Sequence, residues 1–414
     1  MNILYNMGIA LYGVAARIAA TRSEKVSKMI TGQRATLGYL HDVIDSSSTY
    51  IWIHVSSLGE FEQGRPLIEM IKRENPSRKI LLTFFSPSGY EVRKNYEGVD
   101  AVCYLPFDTP GNVRRFLDAV NVEMAIFVKY EFWGNYLQEL QRRNIPTYII
   151  SSIFRPGQAF FKWWGGMFRG MLTCFRHIYV QDEQSKQLLA GIGMENVTVA
   201  GDTRFDRVTD IMRTTTSLPL IERFKSDAKH TIIVGSSWGV DEDVYADWVN
   251  SHDVKVIIAP HQFDKNRLQA MLQRFENAML LSEYEKYADG AEEIKNVKCL
   301  IIDCFGLLSS IYRYGDIAYI GGGFGAGIHN INEAAVYDMP VVFGPKYHKF
   351  KEAVDLIAIG GGFVVTSKEE CEKTLSLLTE DASALDKASK LAGNYIKDNL
   401  GATQCIYNDL FQSN

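Results

Sequence analysis

Four segments of this chain gather acidic, basic, hydroxyl and glycine residues at spacings that could carry chemistry. In His54-Val-Ser-Ser-Leu-Gly-Glu60, two serines and a glycine precede a helical pattern, so exposed backbone N–H groups can approach a ligand closely. Glu60 could deprotonate a hydroxyl as it attacks an anomeric carbon. The plainer alternative is an acid favoured by the helix dipole in a first turn. Lys129-Tyr-Glu131-Phe-Trp133 sets a carboxylate between aromatic rings. Desolvation there raises the pKa and suits proton transfer or pairing with a cation, with a solvated loop acid as the alternative. In Gly201-Asp-Thr-Arg204-Phe-Asp206 the guanidinium can neutralise a phosphate or carboxylate, or form a salt bridge with Asp202 or Asp206.

The densest signal is Ile320-Gly-Gly-Gly-Phe-Gly-Ala-Gly-Ile-His329-Asn330-Ile-Asn332-Glu333, with five glycines in seven positions after a strand-like run. Such a backbone can crowd a ligand, and a helix opening at Asn330 would favour an anion, so a phosphate site is expected. Glu333, one turn in, is placed to accept hydrogen bonds from ribose hydroxyls. Glycines used only for tight packing are the competing explanation, and His329 would then merely cap its helix. The spacing departs from GxGxxG with an acid about 20 residues on, which disfavours a nicotinamide cofactor. Ser236 and Ser237, in Gly235-Ser-Ser-Trp-Gly239, offer hydroxyls and amides to the same phosphate, and Pro260-His261 could line the base or phosphate. No Walker motif, HExxH or Asp-x-Asp suited to a metal-nucleotide is present, so a metal-independent mechanism without a cofactor is expected.

These loops need scaffolding. Short β-branched or aromatic runs alternate with helical patterns from Tyr50 to Val199 and again from Thr231 to Val365, which is the βαβ rhythm of doubly wound parallel sheets. The expected fold is α/β, with two Rossmann-like domains facing across a cleft and an N-terminal membrane-anchoring helix. Residues 1–40 form the anchor and its basic flank, 41–210 the first domain, 211–229 a polar linker and 230–414 the second domain. Ligands of such sheets sit beyond the carboxyl ends of the strands, where all four segments fall.

With 414 residues, two domains are the natural count. A net charge of -5 without a basic aromatic stripe argues against nucleic acid. The 6 cysteines lack a CxxC pair and read as reduced thiols rather than zinc ligands. From Ile3 to Ala20 the chain is largely apolar, and Arg22, Lys25, Lys28 and Arg34 follow it. Charge after the apolar run fits a membrane-binding helix with a cytoplasmic flank better than a cleaved signal peptide; a buried first helix is the alternative.

In this order the motifs resemble the lipid A Kdo transferases, which add 3-deoxy-D-manno-octulosonic acid. The matching pieces are the apolar N-terminus, Ser56-Ser-Leu-Gly-Glu60, Glu131-Phe-Trp133, Gly201-Asp-Thr-Arg204-Phe-Asp206, Pro260-His261, Asp303-Cys-Phe-Gly306, His329-Asn-x-x-Glu333 and Phe343-Gly-Pro345. The resemblance implies a GT-B glycosyltransferase that transfers Kdo from CMP-Kdo to a lipid A precursor, with inversion and without metal. It would act at the cytoplasmic face of the bacterial inner membrane. Carried onto these positions, it makes Glu60 the general base and has Glu131 and Arg204 support the transition state. It sets CMP against Pro260 and His261, against Phe305, Gly306 and Leu307, and against Asn330, Ile331, Asn332 and Glu333. The chain departs from the family pattern in lacking an Arg beside His261, in having Leu307 for a Glu, Arg204 for a Lys, and Lys129-Tyr130 for Glu-Thr. Closure about the linker would exclude water from the donor. A GT-B transferase or epimerase using a UDP-sugar, and a non-catalytic two-domain sugar-binding protein, are the alternatives.

Overall fold

The computed structural model describes residues 3–214, 217–226 and 228–412, and the chain divides into two units, Met1–Arg207 with Leu400–Asn414, and Val208–Asn399. Each unit is built on a seven-stranded, all-parallel sheet.

The first sheet comprises β1 Tyr50–Val55, β2 Lys79–Phe84, β3 Ala101–Tyr104, β4 Val122–Val128, β5 Thr147–Ser152, β6 His177–Val180 and β7 Val197–Val199. Its order is β3-β2-β1-β4-β5-β6-β7. Every residue of β1 is buried, because helices cover both faces of the sheet, and this is why the strands read as continuous apolar runs. The second sheet comprises β8 Thr231–Ser237, β9 Lys255–Pro260, β10 Ala278–Leu280, β11 Cys299–Ile301, β12 Ile317–Ile320, β13 Val341–Phe343 and β14 Gly362–Val364, in the order β10-β11-β9-β8-β12-β13-β14. In both sheets the first strand lies inside, so the direction of winding reverses between β1 and β4 and between β8 and β12. Such switch points leave a crevice at the strands' carboxyl ends.

The domain boundaries expected from the sequence need correction at the C-terminus. The helix Ala402–Phe411 belongs to the first unit, where Ile406 and Tyr407 join a core that includes Phe61 and Ile71. Asp206 fixes this return: its carboxylate accepts from the backbone N–H groups of Gly401 and Thr403, both at 2.7 Å. The segment 211–229 is also mostly helical rather than a loose linker, with helices Thr203–Thr214 and Pro219–Lys225. Residues 215, 216 and 227 of that segment lie outside those described, as do residues 1, 2, 413 and 414.

The N-terminus forms two helices, α1 Ile3–Ala20 and α2 Glu24–Val43, the second capped by the Ser23 hydroxyl. Helix α1 is long and apolar enough to cross a membrane. It rests on its own unit along one stripe. Tyr5 donates to Asp108 at 2.6 Å, Tyr12 stacks on Phe85 and meets Phe107 edge-on, and Ala16 is buried beside Met29 and Ile30. The opposite stripe, including Ile3, Leu4, Leu11, Val14 and Ile18, is exposed. The alternative of a buried first helix is therefore not what the chain adopts.

Candidate active site

In the first unit the loops after β1 and β4 meet at the switch point. Helix α3, Leu58–Glu74, starts at Ser57, and Glu60 is its third residue. That Ser-x-x-Glu spacing is the signature of a capping box. Here the Ser57 hydroxyl instead donates directly to the Glu60 carboxylate and makes no cap bond. Glu60 stays half-buried, so its carboxylate remains within reach of a ligand.

Immediately after β4, Lys129 adopts a left-handed conformation, φ 70°, that few non-glycine residues adopt. This turn carries Glu131 back over the sheet, where it is 6% exposed. Its Oε2 accepts from the Trp133 indole N–H at 2.6 Å and lies 3.2 Å from Nε2 of His54. His54 is fully buried, with Nδ1 at 2.8 Å from the Thr83 hydroxyl, which also accepts from the Trp52 indole at 2.8 Å. Burial pushes the Glu131 pKa up, but His54, Ser56 and Trp133 together outweigh it and hold the carboxyl below the usual glutamate value. The expectation that desolvation raises this pKa is thus reversed. Glu131 is an ionised carboxylate suited to electrostatic support rather than to accepting a proton near neutrality. His54 and Thr83 did not stand out in the sequence. A histidine at the end of a buried strand, just before Ser-Ser-x-Gly-Glu, was the available signal.

Arg204 forks onto Asp202, with Nε and Nη2 at 2.9 and 2.7 Å from one carboxylate oxygen. Asp202 also accepts from Gln63 at 3.3 Å. Asp206 is committed to the C-terminal helix, so of the two salt bridges considered from the sequence the one with Asp202 forms. Burial chiefly raises the pKa of the Tyr130 phenol, which also feels the charges of Arg155, Asp182, Glu60 and Arg204.

In the second unit the loops after β8, β9 and β12 converge. Trp238 stacks on His261 with ring centroids 4.3 Å apart, His261 lies 4.5 Å from His329, and the Trp238 indole donates to His329 Nε2 at 3.3 Å. Burial, followed by the charge of His261, lowers the His329 pKa, so the ring is neutral and free to accept that bond. Pro260 ends β9 and is buried. Ser236 adopts a left-handed φ of 54°. The Ser237 hydroxyl, expected to face a phosphate, is buried against Tyr245 at 2.8 Å and Glu242 at 3.3 Å.

Close packing accounts for much of the glycine run. A Cβ on Gly321 would sit 2.2 Å from the Ser236 carbonyl oxygen, and one on Gly323 would sit 2.5 Å from the Gly344 nitrogen. Asp241, buried and unremarked in the sequence, fastens the loop by accepting from the N–H groups of Gly322 at 2.9 Å and Trp238 at 3.0 Å. The expected helix at Asn330 is a four-residue turn, Asn332–Ala335, too short to supply a strong dipole. Its side chains remain informative. Asn330 donates to Glu333 at 2.9 Å, Ile331 is fully buried, and Asn332 is fully buried with neither end of its amide bonded among the described residues. Nearby, Phe305 is 84% exposed with its ring against Phe263, Gly306 has a φ of 88°, and Leu307 precedes the short helix Leu308–Ile311.

Residues 15–207, which include both acidic loops, match the family described as 3-Deoxy-D-manno-octulosonic-acid transferase (kdotransferase). Over that segment the chain matches this transferase family, and its curated relatives carry the same name. A 3-deoxy-D-manno-octulosonic acid transferase of Haemophilus influenzae is 25% identical over 374 residues, spanning 86% of this chain and 84% of that protein. The transferase of the same name from Aquifex aeolicus is 24% identical over 362 residues, spanning 84% and 92%. Among solved structures, the UDP-GlcNAc 2-epimerase of Neisseria meningitidis superposes with a TM-score of 0.60 at 14% identity, over 88% of this chain and all of that one. At that identity the likeness shows the GT-B fold alone. The transferase is thus a glycosyltransferase with two Rossmann-like domains.

Proposed function

We propose that this transferase moves Kdo from CMP-Kdo onto a hydroxyl of a lipid A precursor, with inversion and without a metal, in lipopolysaccharide core biosynthesis. The observation that carries the reading is that Glu60, Glu131 and Arg204 follow β1, β4 and β7 at the carboxyl end of one parallel sheet, within the segment that matches the family. Glu60, half-buried and oriented by Ser57, takes the proton of the acceptor hydroxyl. As the bond to CMP breaks, positive charge grows on the sugar. Glu131, held ionised by His54, Ser56 and Trp133, is placed to stabilise that charge, while Arg204 balances the developing anion.

The second unit would hold CMP. His261 and Pro260 lie at the end of β9, Phe305 to Leu307 follow β11, and Asn330 to Glu333 follow β12. An unpaired, fully buried amide at Asn332 costs about 1–3 kcal/mol, which a bound nucleotide or ordered water would recover. Of the two serines after β8, the Ser236 side chain and the Ser237 backbone are what remain for the phosphate, since the Ser237 hydroxyl is spent on Tyr245.

The acceptor implies a lipid surface, and α1 fits one. At about 1.5 Å per residue its 18 residues reach roughly 27 Å, close to the hydrocarbon thickness. Because one stripe is docked along the first unit, the helix lies in the membrane interface with Ile3, Leu4, Leu11 and Ile18 in the lipid. The active site then works at the cytoplasmic face of the inner membrane.

The test is incubation of the purified protein with CMP-Kdo and a tetra-acylated lipid A precursor in detergent, following product mass and released CMP. A mass gain of one or more Kdo units is expected. CMP release without product, or transfer only from UDP-sugars, would remove the Kdo assignment and leave the GT-B fold standing.

A further inference from the structure

Between the two N-terminal helices and the loop after β2 lies an open cavity of about 440 Å³. Ala15, Ala16 and Ala19 of α1 form one wall, and Val26 and Met29 of α2 form the other. Phe85, Ser86 and Pro87 close the inner end. The small alanine side chains are what keep the groove open, since larger ones at 15 and 19 would fill it. Its lining is apolar except for Lys25, Ser86 and the phenol of Tyr12. Ligand sites have this make-up, mostly apolar with a few placed polar groups.

The inner end of the groove leads to the acidic loops. Phe85 packs on Trp133 with centroids 4.7 Å apart, and the Trp133 indole holds Glu131. The next residue, Ser86, donates its N–H to the Ser56 carbonyl at 2.7 Å, and Ser56 opens the loop that carries Glu60. One end of the groove therefore touches Trp133, a partner of Glu131, and the backbone of the loop that leads to Glu60. Its outer wall is α1, whose far stripe is exposed and apolar.

We infer that this groove takes an acyl chain of the acceptor lipid, and so sets the acceptor's head group beside Glu60. The inference rests on the acceptor being a lipid, as proposed above. A chain belonging to the acceptor suits the site better than a bulk lipid chain, because the groove ends at the catalytic loops rather than on a remote surface. Lys25 carries the one formal charge of the lining.

Ala15→Trp and Ala19→Trp test this. Both alanines are exposed, so an indole there fills the groove without entering the core, and Ile18→Trp on the lipid-facing stripe is the control. Transfer is measured on a tetra-acylated, diphosphorylated glucosamine disaccharide and on its fully deacylated form. The groove variants should raise KM for the acylated acceptor by about tenfold or more, leave kcat nearly unchanged, and leave the deacylated acceptor unaffected. Ile18→Trp should change neither. Equal losses on both acceptors, or no loss on either, would overturn the inference. If the wild type transfers to neither acceptor, the functional reading has failed instead. The groove is then judged by photo-crosslinking with the same disaccharide carrying a diazirine on one acyl chain. Labelling of Ala15, Ala19 or Phe85 that the tryptophan variants abolish would support it, and labelling confined to Ile3 and Leu11 on the far stripe would contradict it.

Discussion

Glu131 in the first unit and Asn332 in the second are both buried at a sheet's switch point, yet their surroundings differ. Glu131 has His54, Ser56 and Trp133 as partners, whereas neither end of the Asn332 amide has one among the described residues. A carboxylate already paired and ionised needs no rearrangement when charge develops beside it. A buried amide without a partner is a cost that persists until something binds. On the proposed function, the contrast means that the first unit is preorganised for the chemical step, while the second is completed by its ligand.

The sharpest way to break this contrast is at Glu60. Glu60→Gln should lower kcat by about 10²–10⁴-fold, the usual contribution of a general base, while CMP binding stays as in the wild type. Steady-state kinetics beside calorimetric CMP titration would show this, and an unchanged kcat would return Glu60 to the role of a first-turn helix residue. A smaller effect is expected in the second unit from Gly323→Ala. Its Cβ would meet the Gly344 backbone at 2.5 Å, so unfolding stability should drop by about 1–3 kcal/mol, read by denaturant melts. No loss would mean that the loop can move apart, contrary to the tight packing seen.

The smallest expected effect is a pH dependence at Glu131. A carboxyl whose folded pKa is lowered gives stability that is present above its unfolded value of 4.5 and lost as pH falls through the lower folded value. Wild type should therefore be more stable than Glu131→Gln at pH 7, with the gap narrowing as the solution is acidified below 4.5. A gap that widens on acidification would reverse the sign assigned to this group.

Much of this arrangement was legible because it is local. Buried parallel strands announce themselves as apolar runs, and β6, β7, β12 and β13 have the bounds that their β-branched residues predict. Strand β10 carries no such signal, because it has three residues and runs straight into the helix Leu281–Tyr284. The loops bearing Glu60, Glu131, Arg204 and His261 were found from side-chain types at strand ends. What they lacked was long-range pairing. His54 and Glu131 are 77 positions apart, and only the register of β1 on β2 brings His54 opposite Thr83. That pairing reversed the expected pKa shift of Glu131. The glycine run reads as a ligand cradle, although contacts with Ser236 and Gly344, outside the run, demand Gly321 and Gly323. The return of Ala402–Phe411 to the first unit rests on Asp206, which looked from the sequence like a partner for Arg204.

The division of labour is tested most directly by calorimetric titration of CMP into the wild type, Asn332→Ala and Glu60→Gln. CMP should bind the wild type and Glu60→Gln alike, and bind Asn332→Ala more weakly by about 1–3 kcal/mol. Full affinity in Asn332→Ala, or lost affinity in Glu60→Gln, would contradict the assignment of nucleotide to the second unit and chemistry to the first.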